Sequence, residues 1–242
     1  MVINIKFLHM KRMVFLLVFT YGTWFAVSGQ DFVRPVSTNV INVKFINRDI
    51  TVDGNLEKKE WAAVDSIKGF VAPWSPVGKD NTVFRCFCSG SWFNFCFTVT
   101  DKTMTTCEIK NETSVASEDR VELFFNTSPD WSEYYCIEMD PSGNKLDYIA
   151  RYHRIFDFSW KFNKVDISAR YTPQGYLVEG RIPLSDLEKL GIKESFYLAV
   201  FRADFCNEKE EDAIWYSWIK PQCETPDFHV PSSFGFCNFI KH

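Results

Sequence analysis

Phe93-Asn-Phe-Cys-Phe-Thr-Val-Thr100 alternates large apolar residues (Phe93, Phe95, Phe97, Val99) with smaller or polar ones (Asn94, Cys96, Thr98, Thr100). Successive side chains of a strand point to opposite faces, so a period of two marks a strand with one face in a core. Runs of similar character lie on both sides of it: Val40 to Ile46, Ile67 to Ala72, Val83 to Cys88, Arg120 to Asn126, Tyr134 to Asp140, Lys145 to Tyr152, Val165 to Tyr171, Tyr176 to Ile182, Phe196 to Ala203, Ile214 to Trp218 and Phe236 to Ile240. Pro141-Ser-Gly-Asn144 and Thr172-Pro-Gln-Gly175 carry the turn chemistry that joins neighbouring strands. Ser185-Asp-Leu-Glu188 has the spacing of a helix capping box, with Leu184, Leu187 and Leu190 placed to pack on a sheet and Gly191 to end the helix. Many short strands and one or two short helices predict an all-β fold: two antiparallel sheets packed as a jelly-roll-like sandwich.

The N-terminal stretch has a different character. Lys11 and Arg12 precede the apolar run Met13 to Phe19, and Ala26-Val-Ser28 offers the small residues a signal peptidase needs. Residues 1–29 are therefore expected to be a secretory signal peptide, cleaved after Ser28 or Gly29, with Met10 and Met13 as alternative starts. Thr20, Tyr21, Gly22 and Thr23 stop the apolar run well short of the ~20 residues that span a bilayer. Residues 30–242 contain no repeat or linker and are expected to form a single secreted or periplasmic domain, free of the membrane. The chain's 24 Phe, 9 Tyr and 8 Trp must mostly build its core, because a monomer exposing so much apolar area would aggregate. A net charge of −4 with no basic run excludes nucleic acid as the partner. The eight cysteines show no CxxC and no zinc spacing, so they are expected to be mostly buried thiols with one or two bridges.

Two motifs near the ends of the domain carry more specific information. The first is Ile50-Thr-Val-Asp-Gly-Asn-Leu-Glu-Lys-Lys-Glu-Trp61: a short strand, an Asp-Gly turn, and a helical turn that brings Leu56 and Trp61 to the core. The second is Pro226-Asp-Phe-His-Val-Pro-Ser-Ser-Phe-Gly235, an aromatic-His pair stiffened by two prolines. Together with Glu118-Asp-Arg-Val-Glu-Leu-Phe-Phe125 and Gly175-Tyr-Leu-Val-Glu-Gly-Arg-Ile-Pro-Leu184, they make residues 43–240 resemble the family 9 carbohydrate-binding modules. The resemblance implies a β-sandwich that binds sugars without cleaving them, in an aromatic clamp with polar groups between its walls.

On that resemblance Phe228 takes the place of one clamp aromatic and Glu122 that of the acidic strand residue. The other wall falls on Ala116, a departure that removes ~1 kcal/mol or more of stacking, and Trp74 in Ala72-Pro-Trp-Ser-Pro76 is the candidate replacement. His229 and Arg202 complete the candidate carbohydrate-binding set: the first as a hydroxyl donor, the second as a guanidinium in an apolar strand that needs a ligand or, more commonly, an internal carboxylate. No cofactor is expected, although Glu118, Asp119 and Asp101 are candidates for a structural calcium. The expected partners are oligo- or polysaccharides and separate glycoside hydrolases. Two alternatives compete with this reading: a glycosidase using Glu118 and Glu122, and a b-type haem domain using Met139 and His229. Asn111 and Asn126 match the glycosylation acceptor pattern.

Overall fold

In the computed structural model, which describes residues 39–76, 80–128, 130–205 and 213–240, strands dominate. The expected signal peptide and Cys206 lie outside the described residues. The elements are β1 (Val40–Ile46), α1 (Lys59–Ala62), β2 (Ser66–Ile67), β3 (Val83–Ser89), β4 (Trp92–Thr100), β5 (Arg120–Asn126), β6 (Tyr134–Met139), β7 (Lys145–Arg151), β8 (Ile155–Asp157), β9 (Asp166–Thr172), β10 (Gly175–Pro183), α2 (Leu184–Lys189), β11 (Ser195–Phe205), β12 (Ala213–Ser217) and β13 (Gly235–Ile240).

The first sheet runs β8-β7-β6-β5-β11-β13-β1, with β12 also on β11; the second runs β1-β3-β4-β10-β9, with β2 on β3. Strand β1 belongs to both. Its residues 40–44 pair with β13, and Phe45 and Ile46 pair with β3. Both pairings are parallel, the exception in a fold expected to be antiparallel throughout. A strand that changes sheets closes one side of a sandwich without leaving an unpaired edge there.

Between the sheets lies the main core. Phe93, Phe95, Phe97 and Val99 of β4 meet Leu123 and Phe125 of β5 and Phe196, Leu198 and Val200 of β11. Cys86, Cys88 and Cys237 are buried in the same layer, and these three, Cys96, Cys136 and Cys223 are free thiols. Two smaller clusters cover the outer faces. On the second sheet Trp61 of α1 packs on Phe87 and Cys96, and on the first sheet Phe228 and Phe234 cover Phe124, Tyr134 and Phe201.

The opening motif is held by one carboxylate. Glu179 of β10 is fully buried and accepts hydrogen bonds from the backbone N–H of Asp53 and Gly54, both at 2.9 Å, and from Trp61 Nε1 at 3.0 Å. Lys58 Nζ pairs with it at 2.6 Å. Gly180, the next residue, leaves room for a ring: a Cβ there would lie 2.3 Å from Phe95 Cζ. In the closing motif Gly235 does the same for Trp218, whose Cη2 would be 2.5 Å from an added Cβ.

Three local expectations are corrected. Helix α2 begins at Leu184, one residue before the proposed cap; Pro183 occupies the cap position and no side chain caps the helix, so Ser185 and Glu188 form no capping box. Leu187 is buried as expected, and Gly191 ends the helix at φ +87°. The run Ile67 to Ala72 is a strand only at Ser66–Ile67 and continues as single bridges from Phe70 to Asp80 and from Val71 to Ser217. Strand β8 was not foreseen, being three residues long with a charge at its end.

Candidate functional site

On the outer face of the first sheet a cavity of about 670 Å³ opens between three segments: the Trp74 loop, the β8 turn and the closing motif. Its floor is the alternate face of β5, β6 and β7. Glu122 and Glu138 stand opposite one another in the β5–β6 register, and Arg120 reaches both, its Nε lying 2.9 Å from Glu122 Oε1 and 2.6 Å from Glu138 Oε2. All three are buried. Tyr148 of β7 donates to Glu138 Oε1 at 2.8 Å. Arg120 also donates from Nη1 to the carbonyl of Ala116 at 3.0 Å and lies 5.4 Å from the centre of the Trp215 ring.

Two carboxylates around one guanidinium leave an excess negative charge in a place water hardly reaches. A buried carboxyl then keeps its proton. Burial pushes the Glu122 carboxyl up to about 8, the neighbouring Glu138 adds to the rise, and Arg120 opposes it. With one proton held, the triad is neutral near pH 7 and presents a hydroxyl, a carboxylate and guanidinium N–H groups. Those are the donors and acceptors that pair with neutral hydroxyl groups.

Aromatic rings line the rest. Phe228 stacks on Phe201 with centroids 3.9 Å apart and an interplanar angle of 8°, and only 5 % of its surface is exposed. Trp74 and Trp215 stand over it at 6.0 and 5.4 Å, and Trp74 Nε1 donates to the Cys223 carbonyl at 3.0 Å. Phe156 and Phe158 line the other side. His229 stacks on Phe124 at 4.9 Å, with Nδ1 3.0 Å from the Tyr134 hydroxyl. Burial and then the charge of Arg154 hold its imidazole down to about 3, so the ring is neutral. Asp227 ties the two sides of the cavity together. It accepts from His229 N–H at 2.8 Å, lies 2.9 Å from His153 Nε2 and 3.0 Å from Arg154 Nη1, and these partners hold its carboxyl below the usual range against the effect of burial.

Four of the five residues expected to bind sugar, Glu122, Phe228, His229 and Trp74, therefore line one cavity, as does Ala116. Arg202 does not. It points from the opposite face of β11 and is enclosed by Asp80 at 3.0 Å, Asp101 at 2.8 Å and Asp204 at 3.1 Å, the internal ion-pair alternative. Glu138, Tyr148, Arg120, Asp227, Phe156 and Phe158 also line the cavity, and none of them is among the residues expected from the sequence to bind sugar. The signal for Glu138 is in the sequence: like Glu122, it is the single acid of its strand.

The cation candidates regroup. Carboxylate oxygens of Asp101, Asp119 and Asp204 lie within 4.8 Å of one another, an oxygen set suited to a hard cation. Glu118 is turned away, accepting from Cys107 N–H at 3.0 Å. Arg202 already compensates two of the three aspartates, and burial pushes Asp119 up to about 7. Glu118 also does not line the cavity, so the glycosidase pair Glu118 and Glu122 shares no cleft. Met139 lies in the core between the sheets and His229 on the outer face of the first sheet, which separates the two haem ligands by the sheet itself. Asn126 is buried with its amide bonded to the Ser128 carbonyl, whereas Asn111 is exposed.

Residues 52–242 match the model of the carbohydrate family 9 binding domain-like family. No curated protein matches the chain. Among solved structures it is similar to a candidate carbohydrate-binding protein from Bacteroides uniformis (17 % identity, 83 % of this chain and 99 % of that one, TM-score 0.66). It is also similar to a family 9 carbohydrate-binding module from Caldicellulosiruptor kristjanssonii in complex with cellotriose (17 % identity, 84 % and 95 %, TM-score 0.54). The same comparison finds the complex of a family 9 module from that organism with glucose (17 %, 84 % and 97 %, TM-score 0.52).

Proposed function

The chain belongs to the carbohydrate family 9 binding domain-like family, and from that premise we propose that it binds an oligosaccharide, without cleaving it, in the cavity over β5, β6 and β7. The observation that carries this reading is the pairing of aromatic walls with a floor of hydrogen-bonding groups from Arg120, Glu122, Glu138 and Tyr148. Sugar rings offer apolar C–H faces and a rim of hydroxyls, and each half of the cavity suits one of these. The family 9 modules held with cellotriose and glucose favour glucan fragments, and xylan fragments of the same ring shape are included in the proposal. Glu122 and Glu138 both sit on the floor, tied to one guanidinium, instead of facing one another across an open cleft, which favours binding over hydrolysis. The leader pattern supports export, and a secreted or periplasmic binder would act beside separate hydrolases that release its ligands.

A disaccharide has about 23 heavy atoms; at roughly −0.3 kcal/mol each, its binding is limited to about −7 kcal/mol, or ~10 μM. Calorimetry with cello- and xylo-oligosaccharides is expected to return constants between micromolar and millimolar, with no reducing sugar released. Sustained release of reducing ends would reverse the choice in favour of an enzyme.

A further inference from the structure

We propose that Phe158, immediately beyond the edge strand β8, is the ligand-facing wall of the cavity. The proposal rests on the carbohydrate reading above. A stacking wall must show a ring face to solvent before the ligand arrives; of the rings that line the cavity Phe228 and Tyr148 are buried, Trp74, Phe156, Trp215 and His229 are half-buried, and Phe158 is exposed. Phe228 has one face on Phe201 and is buried between Trp74 and Trp215. Tyr148 is buried, with its hydroxyl committed to Glu138. Ala116 ends in a methyl group. Phe158 lines the cavity and leaves 44 % of its surface exposed.

The ring is also held in place. Tyr148 and Phe156 back it at centroid distances of 5.1 and 5.9 Å. Asp157 Oδ1 accepts from Ser159 N–H at 3.0 Å and from the Ser159 hydroxyl at 2.5 Å, which pins the chain on both sides of Phe158. Arg154 extends over Phe156, 5.6 Å from its ring centre, and pairs with Asp227 of the closing motif, so β8 is tied to the opposite side of the cavity. A fixed ring loses little freedom when a sugar face settles on it. An exposed Phe beside a sheet-edge strand that also carries Ile155, 58 % exposed, is otherwise a liability for self-association.

The test is calorimetry with glucose, cellotriose and xylotriose on the wild type, Phe158→Ala, Phe158→Tyr and Ile155→Ala, with melting temperatures measured on the same samples. Phe158→Ala is expected to weaken binding by about tenfold with its melting temperature unchanged, because the ring contributes little to the core. Phe158→Tyr, which keeps a ring face, and Ile155→Ala, which changes a more exposed residue of β8 outside the cavity lining, should both bind as the wild type does. Wild-type affinity in Phe158→Ala overturns the proposal. So does an equal loss in Ile155→Ala, which would mean that strand integrity and not the ring is being measured. A wild type that binds none of the three sugars removes the carbohydrate reading and this proposal together, and is recognised before any variant is compared.

Discussion

Phe228 shows how one residue can line a site and still belong to the scaffold. Its near-parallel stacking on Phe201 and its place between two Trp rings make it a plug in the cavity wall, with 5 % of its surface exposed. Removing such a ring loses its transfer energy and leaves a void that rigid neighbours cannot fill. Phe228→Ala is therefore expected to lose about 3 to 5 kcal/mol of stability in urea or thermal unfolding. Wild-type stability combined with lost sugar binding would instead place the ring on the ligand side. Arg202 makes the opposite point. A guanidinium in an apolar strand calls for an internal carboxylate more often than a ligand, but the chain read alone does not name the partners, because carboxylates as distant in sequence as Asp80 and Asp101 become its neighbours only on folding.

Among the elements, α1 and the loop before it depend on β10 more than on their own sequence. Four residues of helix cannot stand alone, and helix nucleation is unfavourable without outside contacts. Glu179 supplies them by gathering two backbone N–H groups, the Trp61 indole and Lys58. Glu179→Ala leaves those donors buried without an acceptor and is expected to cost about 3 to 5 kcal/mol. Sugar affinity should be unchanged, since this anchor lies outside the second sheet and the cavity outside the first. A urea titration and calorimetry on this variant check both halves, and an affinity change without a stability change would contradict the assignment. The strands themselves were legible because alternation survives in any single stretch of chain: β5 was bounded correctly from Arg120 to Asn126. Strand β8 was not, since three residues carry too little pattern, and with it went Phe156 and Phe158. Half of the cavity was thus readable from motifs, and the other half arises from register, which sets Glu138 beside Glu122, and from an edge strand too short to recognise.

For the whole molecule, the balance of buried acids sets how stability depends on pH. Glu118 and Asp119 are pushed up to about 7 and Glu122 to about 8, in each case chiefly by burial. In the unfolded chain the same carboxyls release their protons near 4. Between those limits the folded state holds more protons than the unfolded state, so stability must fall as pH rises. The contribution is fully present below the unfolded values and lost as pH passes through 7 to 8. Asp227 and Asp186 work in the other direction: their carboxyls are held low by hydrogen bonds and cationic partners, and stability is lost as they are protonated below about pH 4. The melting temperature is therefore expected to be highest near pH 4 and to decline from there toward pH 8. Glu122→Gln, which cannot ionise, should flatten part of that decline while leaving the acid side unchanged. A melting temperature that is constant or rising from pH 5 to 8 would mean that these carboxyls are ionised in the folded protein, and the cavity floor would then carry a net negative charge around Arg120 instead of a neutral set of donors and acceptors.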